Sequence, residues 1–470
     1  MMNTASRLNT LRKEIPLMVF NISLQDIANA VDGVLIGENC MAHGVSTDTR
    51  TLMRSDLFIA LRGDNYDGHT FIDSAMNRGA CAYLVDKTIP GIEPLIVVND
   101  TRIALGKLAS FWRRQFSIPV IAITGSNGKT TVKEMIAAIF SQHAEVLYTH
   151  GNFNNDIGLP LTLLSLNSHH EYAVIEMGAN HMQEIAWLTE ITNPDTAIIT
   201  NAGPAHLEGF GSIDNVAQAK GELFAGIKSE SISVINNDDV YSQLWKDKTN
   251  SKHIISFGAT SEANVYFSNL GHDDNNYFDV HFPDGKQITV TLNLLGVHNV
   301  LNATAAAAVA YANGIDSKTI KNGLEAMQPV TGRLMKVSGM NGSTIIDDTY
   351  NANPASVKAA LNVLKHCKGK RIFILGDLGE LGSDSVRLHE EIAIAANQND
   401  VDVLFTVGDI AKHTARLFAG TSKSFDTVED LISEFKGFVE AGNFVLVKGS
   451  RFMRMERVVD SLIQKEANQE

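Results

Sequence analysis

Cysteine and proline are scarce in this chain: three cysteines (Cys40, Cys81, Cys367) and 10 prolines among 470 residues. The cysteines lie far apart in sequence and none belongs to a CxxC pair, so neither a disulfide framework nor a zinc ribbon is supported. Positive charge is in deficit as well. A net charge of −14 argues against a non-specific binder of nucleic acid or of anionic membrane, while leaving room for a local basic pocket. No apolar run is long enough to span a bilayer, and neither repeats nor low-complexity tracts occur. What is present is a 44% hydrophobic chain with 36 glycines, an ordinary α/β balance. Its length exceeds one hydrophobic core, so two to four domains are expected.

The amino terminus has some marks of a secretory signal. Arg7, Arg12 and Lys13 precede the apolar stretch 15–24, and Ala28-Asn29-Ala30 imitates a cleavage site. Pro16, Asn21 and Ser23 interrupt that stretch, however. Ser23 reads as a helix cap, with Asp26 where a capping box would place Glu or Gln. Ile27 and Val31 continue a helical stripe. The expectation is a cytoplasmic protein without stable membrane insertion, carrying a disordered extension over residues 1–17.

Chemistry enters at 118–140, IPVIAITGSNGKTTVKEMIAAIF. The β-branched run 118–123 reads as a buried strand. Val132, Met135, Ile136, Ile139 and Phe140 then recur at helical spacing. Strand, glycine loop, helix is the setting a phosphate-binding loop requires. Gly125 and Gly128 let the backbone approach phosphate oxygens, and the helix N-terminus points free N–H groups at them. Lys129 adds a full charge, worth roughly 4 kcal/mol per pair at about 4 Å before desolvation. Thr130 offers its hydroxyl to magnesium. The common pattern places its first glycine five residues before the second; Ile123 stands there instead, which narrows the kind of loop this is.

Around this loop the pattern divides into three units, expected at 18–100, 101–329 and 330–470. The first mixes strands near 56–61, 82–85 and 95–98 with a helix at 71–78. In the second, a helix over 101–116 leads into the loop, and buried parallel strands follow at 172–177, 196–200 and 232–236. A hairpin turns at Pro283-Asp284-Gly285, and a small-residue helix covers 299–311. The third unit alternates strands (344–347, 371–375, 403–407, 444–447) with helices, a second doubly wound sheet. Ligands gather at the carboxyl ends of such strands, where EMG, NAGPAH, DDTYNANP, LGDLGELG and KGSR fall.

Glu176 ends one strand, a place for a second magnesium ligand beside a phosphate loop; a solvated strand end is the plainer alternative. His206 follows the neighbouring strand. Lys220, in AQAKGELF, reads first as an exposed helix lysine; if buried it would lose its proton, and a neutral amine can take up carbon dioxide as an anionic carbamate. STDTR (46–50) and RGDNYDGHTF (62–71) crowd hydroxyls, arginines and glycines in the first unit, suiting a second phosphorylated ligand, although turn chemistry alone also explains part of them.

Together these motifs resemble the Mur ligases, ATP-dependent amide-forming enzymes of bacterial cell-wall precursor synthesis. TGSNGKTT is similar to that family's form of the loop. The resemblance runs from about residue 18 through GNFNNDIGLPLTLL, EMGANHMQEI, NAGPAHLEGFGS, AKGE, GVHNVLNATAA, Gly332-Arg333, DDTYNANPASVKAAL, LGDLGELG and KGSR. It implies α/β architecture in three domains: a small UDP-substrate domain, a central P-loop-type ATPase domain on a mostly parallel sheet, and a C-terminal Rossmann-like domain. The carboxy-terminal motifs resemble those of the branch that joins D-alanyl-D-alanine to UDP-N-acetylmuramoyl-tripeptide. The DNPR or DDP motif of the sister that adds the third residue is absent.

The resemblance also implies roles. Thr124, Gly125, Ser126, Asn127, Gly128, Lys129, Thr130 and Thr131 would hold ATP. Thr130 and Glu176 would bind a first magnesium ion, His206 and carbamylated Lys220 a second. Asn299 would contact adenine, while Arg333 and Asp348 reach back to the nucleotide. Ser46, Thr47, Arg62, Asp67, Gly68 and His69 match the uridine-nucleotide end. Tyr350, Asn351, Asn353 and the LGDLGELG loop are the expected dipeptide contacts. Lys129, Glu176, His206 and Lys220 would carry catalysis through an acyl phosphate, in a monomer. The rivals are the sister ligase, a nucleotide switch, for which the guanine-reading NKxD pattern is absent, and a binding protein with a decayed site, against which intact Lys129, Thr130, Glu176 and His206 argue.

Overall fold

The computed structural model describes residues 19–63, 66–271 and 276–463. The extension expected over 1–17 lies outside the described residues, as do Asp64 and Asn65 of the first-unit motif. Three separate sheets organise the chain, each α/β.

The first sheet has five strands in the order Val34–Ile36, Leu95–Val97, Ala82–Val85, Asp56–Ile59, Gly44–Ser46, parallel except at the Val34–Ile36 edge. Helix Leu24–Ala30 begins where Ser23 Oγ accepts the Asp26 amide at 3.1 Å. Asp26 is too short to reach back to the cap's amide; it accepts the Ser23 hydroxyl instead, at 2.7 Å, so the capping box is half closed. Ala28-Asn29-Ala30 lies inside this helix with Ala28 fully buried, unlike an extended cleavage segment.

The central sheet has nine strands: Val146–Tyr148, Tyr172–Glu176, Val120–Thr124, Thr196–Ile199, Ile232–Asn236, His253–Gly258, Val265–Ser268, Asn276–His281 and Gln287–Leu292 in spatial order. The first seven are parallel; the last two form the antiparallel hairpin, with Phe278 opposite Val290. Helices Lys129–Phe140, Val297–Ala312 and Ser317–Ala326 bury one face. The alanine run of the second of these lets it lie close against the sheet, with Ala303 and 305–310 buried. Helices Thr101–Arg113, Gly158–Leu164, Glu184–Thr192 and Ile213–Gly226 cover the other face. That core is continuous with the first unit through Leu105, Leu108 and Trp112, the last ring 5.1 Å from Phe20.

The third sheet has six strands in the order Met335–Ser338, Thr344–Asp348, Phe444–Lys448, Arg371–Gly376, Val403–Val407, Thr421–Phe425; only the first is antiparallel. Apolar clusters flank it on both faces. Among the described residues no helix is long and apolar enough to cross a membrane.

Candidate active site

The carboxyl ends of Val120–Thr124, Tyr172–Glu176 and Thr196–Ile199 meet those of Thr344–Asp348 and Phe444–Lys448 across a cleft of about 870 Å³. The phosphate loop forms one wall. Helix Lys129–Phe140 starts at Gly128, whose φ of +81° is a left-handed conformation that L side chains rarely adopt. A Cβ there would stand 2.6 Å from Asn302 Oδ1, and one on Gly125 would stand 1.8 Å from Thr200 Oγ1. The first helical bond runs from Val132 N to Gly128 O at 2.9 Å, so the amides of Lys129, Thr130 and Thr131 have no intrahelical partner. The loop is braced from behind: Ser126 N donates to Asn201 O at 2.9 Å and Asn127 N to Asn201 Oδ1 at 3.0 Å. Those two amides are therefore taken, and the donors left for an anion cluster at the helix start.

Thr124 departs from its expected role. Its side chain is fully buried and its hydroxyl donates to Met177 O at 2.9 Å, stapling two strands together. Neither Thr124 nor Gly125 lines the cleft; Ser126, Asn127, Gly128, Lys129, Thr130 and Thr131 do. Lys129 Nζ donates to Gly125 O at 2.7 Å, and burial pushes its pKa down against the pull of Glu176.

Glu176 is buried in the cleft wall. Asn154 Nδ2 donates to its Oε1 at 2.8 Å, while Oε2 is buried with no partner. A buried carboxylate oxygen left free beside a threonine hydroxyl and a lysine fits a magnesium ligand. Among the described residues no group of three or more His, Cys, Asp or Glu side chains forms a metal cage. Magnesium bound by one or two carboxylates plus substrate phosphates needs none.

His206 caps a short helix at Leu207–Phe210 with φ +54° and lines the cleft. Its Nδ1 lies 2.6 Å from Glu380 Oε2 of the LGDLGELG loop, and the imidazole holds the Glu380 carboxyl below its usual range. The contact is a close ion-pair approach, not an aligned hydrogen bond, since Nδ1 is buried without a hydrogen-bond partner; a carboxylate beside one ring nitrogen is nonetheless the usual setting of a metal-binding histidine. Lys220, read as an exposed helix lysine, is instead buried at 2% exposure. It forms no ion pair among the described residues, and burial, with Lys129 nearby, drives its pKa well below the ordinary lysine value. It does not line the cleft surface.

The third unit supplies the opposite wall. Arg333 Nη2 donates to Thr130 Oγ1 at 3.1 Å, and Asn353 Nδ2 donates to Asn127 Oδ1 at 2.8 Å. Asn353 also caps helix Pro354–Lys365 with a capping box to Ser356. Asp348 pairs with the buried Lys448 Nζ at 2.6 Å, and Lys448 also donates to Asn351 O at 2.9 Å. Asn299, Tyr350 and Asn351 line the same space. Within LGDLGELG, Asp377 caps the backbone at 409–411, so it holds the loop rather than a ligand.

The first-unit candidates lie apart from this cleft lining. Ser46 Oγ donates to Asp48 O at 2.9 Å; Asp48, held to about 2 by the Arg50 guanidinium, orders the turn that carries Thr47. Arg62 bridges Asp67 at 2.7 Å and Asp86 at 2.5 Å, and His69 Nδ1 lies 2.6 Å from Asp67. Gly68 N donates to Leu61 O at 2.7 Å, which sets the bend of this loop. Sequence reading did not single out Asn154, Lys448, Glu380 or the pair Arg102–Asp156. Three of the motifs held a signal for some of them: GNFNND for Asn154 and Asp156, LGDLGELG for Glu380 and KGSR for Lys448.

Three family models match the chain: Mur ligase family, catalytic domain, over residues 41–113; Mur ligase middle domain over 123–310; and Mur ligase, glutamate ligase domain, over 332–451. The chain belongs to the Mur ligase family. It is 39% identical over 452 residues to the UDP-N-acetylmuramoyl-tripeptide–D-alanyl-D-alanine ligase of Escherichia coli, covering 94% of this chain and 99% of that protein. It is 34% identical to the ligase of the same name from Bacillus subtilis, covering 94% and 98%. A crystal structure of MurF from Acinetobacter baumannii superposes with a TM-score of 0.89 at 34% identity, covering 94% and 98%. MurF from Thermotoga maritima in complex with ADP gives 0.80 at 28% identity, covering 89% and 96%. These Mur ligase neighbours share the three-domain architecture found here.

Proposed function

We propose that this chain joins D-alanyl-D-alanine to UDP-N-acetylmuramoyl-tripeptide with ATP, releasing ADP and phosphate, in cytoplasmic peptidoglycan precursor synthesis. The observation that carries the reading is the shared cleft, in which Thr130 and Asn127 of the phosphate loop are bonded to Arg333 and Asn353 of the third unit. The names of the full-length relatives supply the substrates.

In this reading Lys129 and the amides of 129–131 hold the ATP phosphates. Thr130 and Glu176 take a first magnesium ion; His206, oriented by Glu380, and the carbamate of Lys220 take a second. Magnesium, when bound, offsets the repulsion between a carboxylate and a polyphosphate. The burial that lowers the Lys220 pKa favours loss of its proton and hence the carbamate, whose negative charge would turn repulsion from Lys129 into attraction. Asn299 and Asp348 position adenine and ribose, with Lys448 fixing the Asp348 carboxylate. The first-unit group of Ser46, Thr47, Arg62, Asp67, Gly68 and His69 holds the uridine nucleotide. Tyr350, Asn351 and Asn353 face the dipeptide.

The tripeptide's terminal carboxylate attacks the γ-phosphorus and ADP leaves. The dipeptide amine then attacks the acyl carbon, and phosphate departs from the tetrahedral intermediate. An acyl phosphate hydrolyses in water, so a cleft closed between two units protects it. The chain is proposed to act as a monomer.

The test is phosphate release from ATP by purified protein with UDP-N-acetylmuramoyl-tripeptide, with and without D-alanyl-D-alanine. Release that needs both, with a pentapeptide nucleotide by mass, supports the reading. Release that instead needs a free diamino acid and the shorter precursor nucleotide assigns the sister reaction. Equal turnover without an acceptor rejects ligation.

A further inference from the structure

Arg102 and Asp156 form an ion pair at the cleft that the reaction above leaves without a role. Arg102 Nη2 lies 2.5 Å from Asp156 Oδ2, with side-chain exposures of 45% and 36%, and both residues line the cleft that holds Lys129 and Glu176. Such a half-exposed pair contributes little to stability. A cation in the first turn of helix Thr101–Arg113 also opposes the helix dipole. Folding alone gives little reason for the pair.

Its position is informative. Helix Thr101–Arg113 directly follows the Leu95–Val97 strand of the first sheet, so Arg102 stands on the side of the cleft where the first unit joins. Asp156 stands two residues beyond Asn154, whose amide donates to Glu176 Oε1. Two virtual bonds limit the Cα separation of Asp156 from Asn154 to roughly 7.6 Å. The pair thus lines the cleft between the junction with the first unit and the residues around Glu176; a substrate that reaches from the first unit to the phosphate loop would pass it.

Resting on the proposed function, we infer that Arg102 and Asp156 read the third residue of the tripeptide and select a zwitterionic side chain, the second amino-acid head of 2,6-diaminopimelate. Arg102 takes its carboxylate in a forked contact and Asp156 takes its ammonium, each replacing the partner it gives up. A lysine side chain satisfies Asp156 but leaves Arg102 facing no anion, which is discrimination by an unpaired charge. The acceptor dipeptide is also a zwitterion, yet it does not suit this pair. Its amine must be neutral to attack, and a carboxylate on it would hold the proton. Its two charges also stand at opposite ends of the molecule.

The experiment compares kcat/KM for dipeptide-dependent phosphate release with three nucleotides: tripeptides ending in meso-diaminopimelate, in diaminopimelate amidated at the distal carboxylate, and in lysine. The native chain is expected to favour the first over both others by about tenfold or more, the scale of one charged hydrogen bond. Arg102→Gln is expected to abolish that preference by lowering only the diaminopimelate value. Equal losses on all nucleotides would make the pair a structural brace and overturn the inference. So would a native chain that shows no preference, a result read from the ligands alone even if the variant fails to fold. No dipeptide-dependent turnover on any nucleotide overturns the proposed function, and the inference with it; turnover without discrimination overturns the inference alone.

Discussion

Arg333 of the third unit donates from Nη2 to the Thr130 hydroxyl at 3.1 Å while its guanidinium lies 4.1 Å from the centroid of the Tyr350 ring. One side chain thereby ties the phosphate loop to a residue of the DDTYNANP motif. The planar guanidinium can stack and donate at once, which an ammonium cannot. If Arg333 completes the site on the γ-phosphate, Arg333→Ala lowers kcat/KM by about 10²–10³-fold, the usual cost of one preorganised donor. Arg333→Lys recovers little. Steady-state kinetics with ATP varied checks this, and a loss under threefold for the alanine variant would contradict it.

Glu176 carries the next prediction. Its Oε2 is buried without a partner. Glu176→Gln keeps the shape and removes the charge, so the magnesium concentration for half-maximal activity should rise by about 10–100-fold. The melting temperature without magnesium should fall little, because Oε2 makes no hydrogen bond for the substitution to break and the bond that Asn154 Nδ2 donates to Oε1 can be kept. A magnesium titration and thermal unfolding read the two effects separately.

Much of this arrangement was legible in the sequence. The loop strand follows from its wholly buried β-branched run, the helix after it from apolar residues at helical spacing, and the 276–292 hairpin from its turn and the alternating apolar positions in sequence. Val146–Tyr148, Met335–Ser338 and Thr421–Phe425 were not legible. They are short edge strands: Val146–Tyr148 has only three residues, and the other two carry polar, exposed residues, as edges tend to, so only pairing with a neighbour defines them. The residues flanking Lys220 permit either an exposed or a buried face, and only the family resemblance pointed to a role that needs burial; the packing of Trp245 and Phe224 around its helix decides the matter. Arg102 and Asp156 stand 54 residues apart, and no local pattern links them. Thr124 belongs to the loop motif yet is buried, because it is still the last residue of the fully buried strand Val120–Thr124.

The state of Lys220 is open to direct observation. A buried neutral amine that takes up carbon dioxide gives a carbamate carbon in ¹³C NMR of protein equilibrated with labelled bicarbonate. The signal should vanish in Lys220→Arg and on acidification. A native chain without it would contradict the carbamate.

His298 gives a pH dependence. Burial holds its pKa down to about 4, from an ordinary 6.5. Between these values the unfolded chain binds a proton that the folded chain refuses. Stability is therefore full above about pH 6.5 and declines as pH falls toward 4, by about 3 kcal/mol for this group. Denaturant unfolding of native chain and His298→Gln at pH 7 and 4.5 should show the smaller acid-side loss in the variant.

The central claim is that a carboxylate oxygen is transferred to phosphorus before the amide forms. The direct measurement uses tripeptide nucleotide labelled with ¹⁸O in its terminal carboxylate and analyses the phosphate released in the presence of ATP and D-alanyl-D-alanine. The account predicts one ¹⁸O atom in each phosphate, carried from the carboxylate when the tetrahedral intermediate collapses. Phosphate without label, with amide still formed, would contradict the acyl phosphate route.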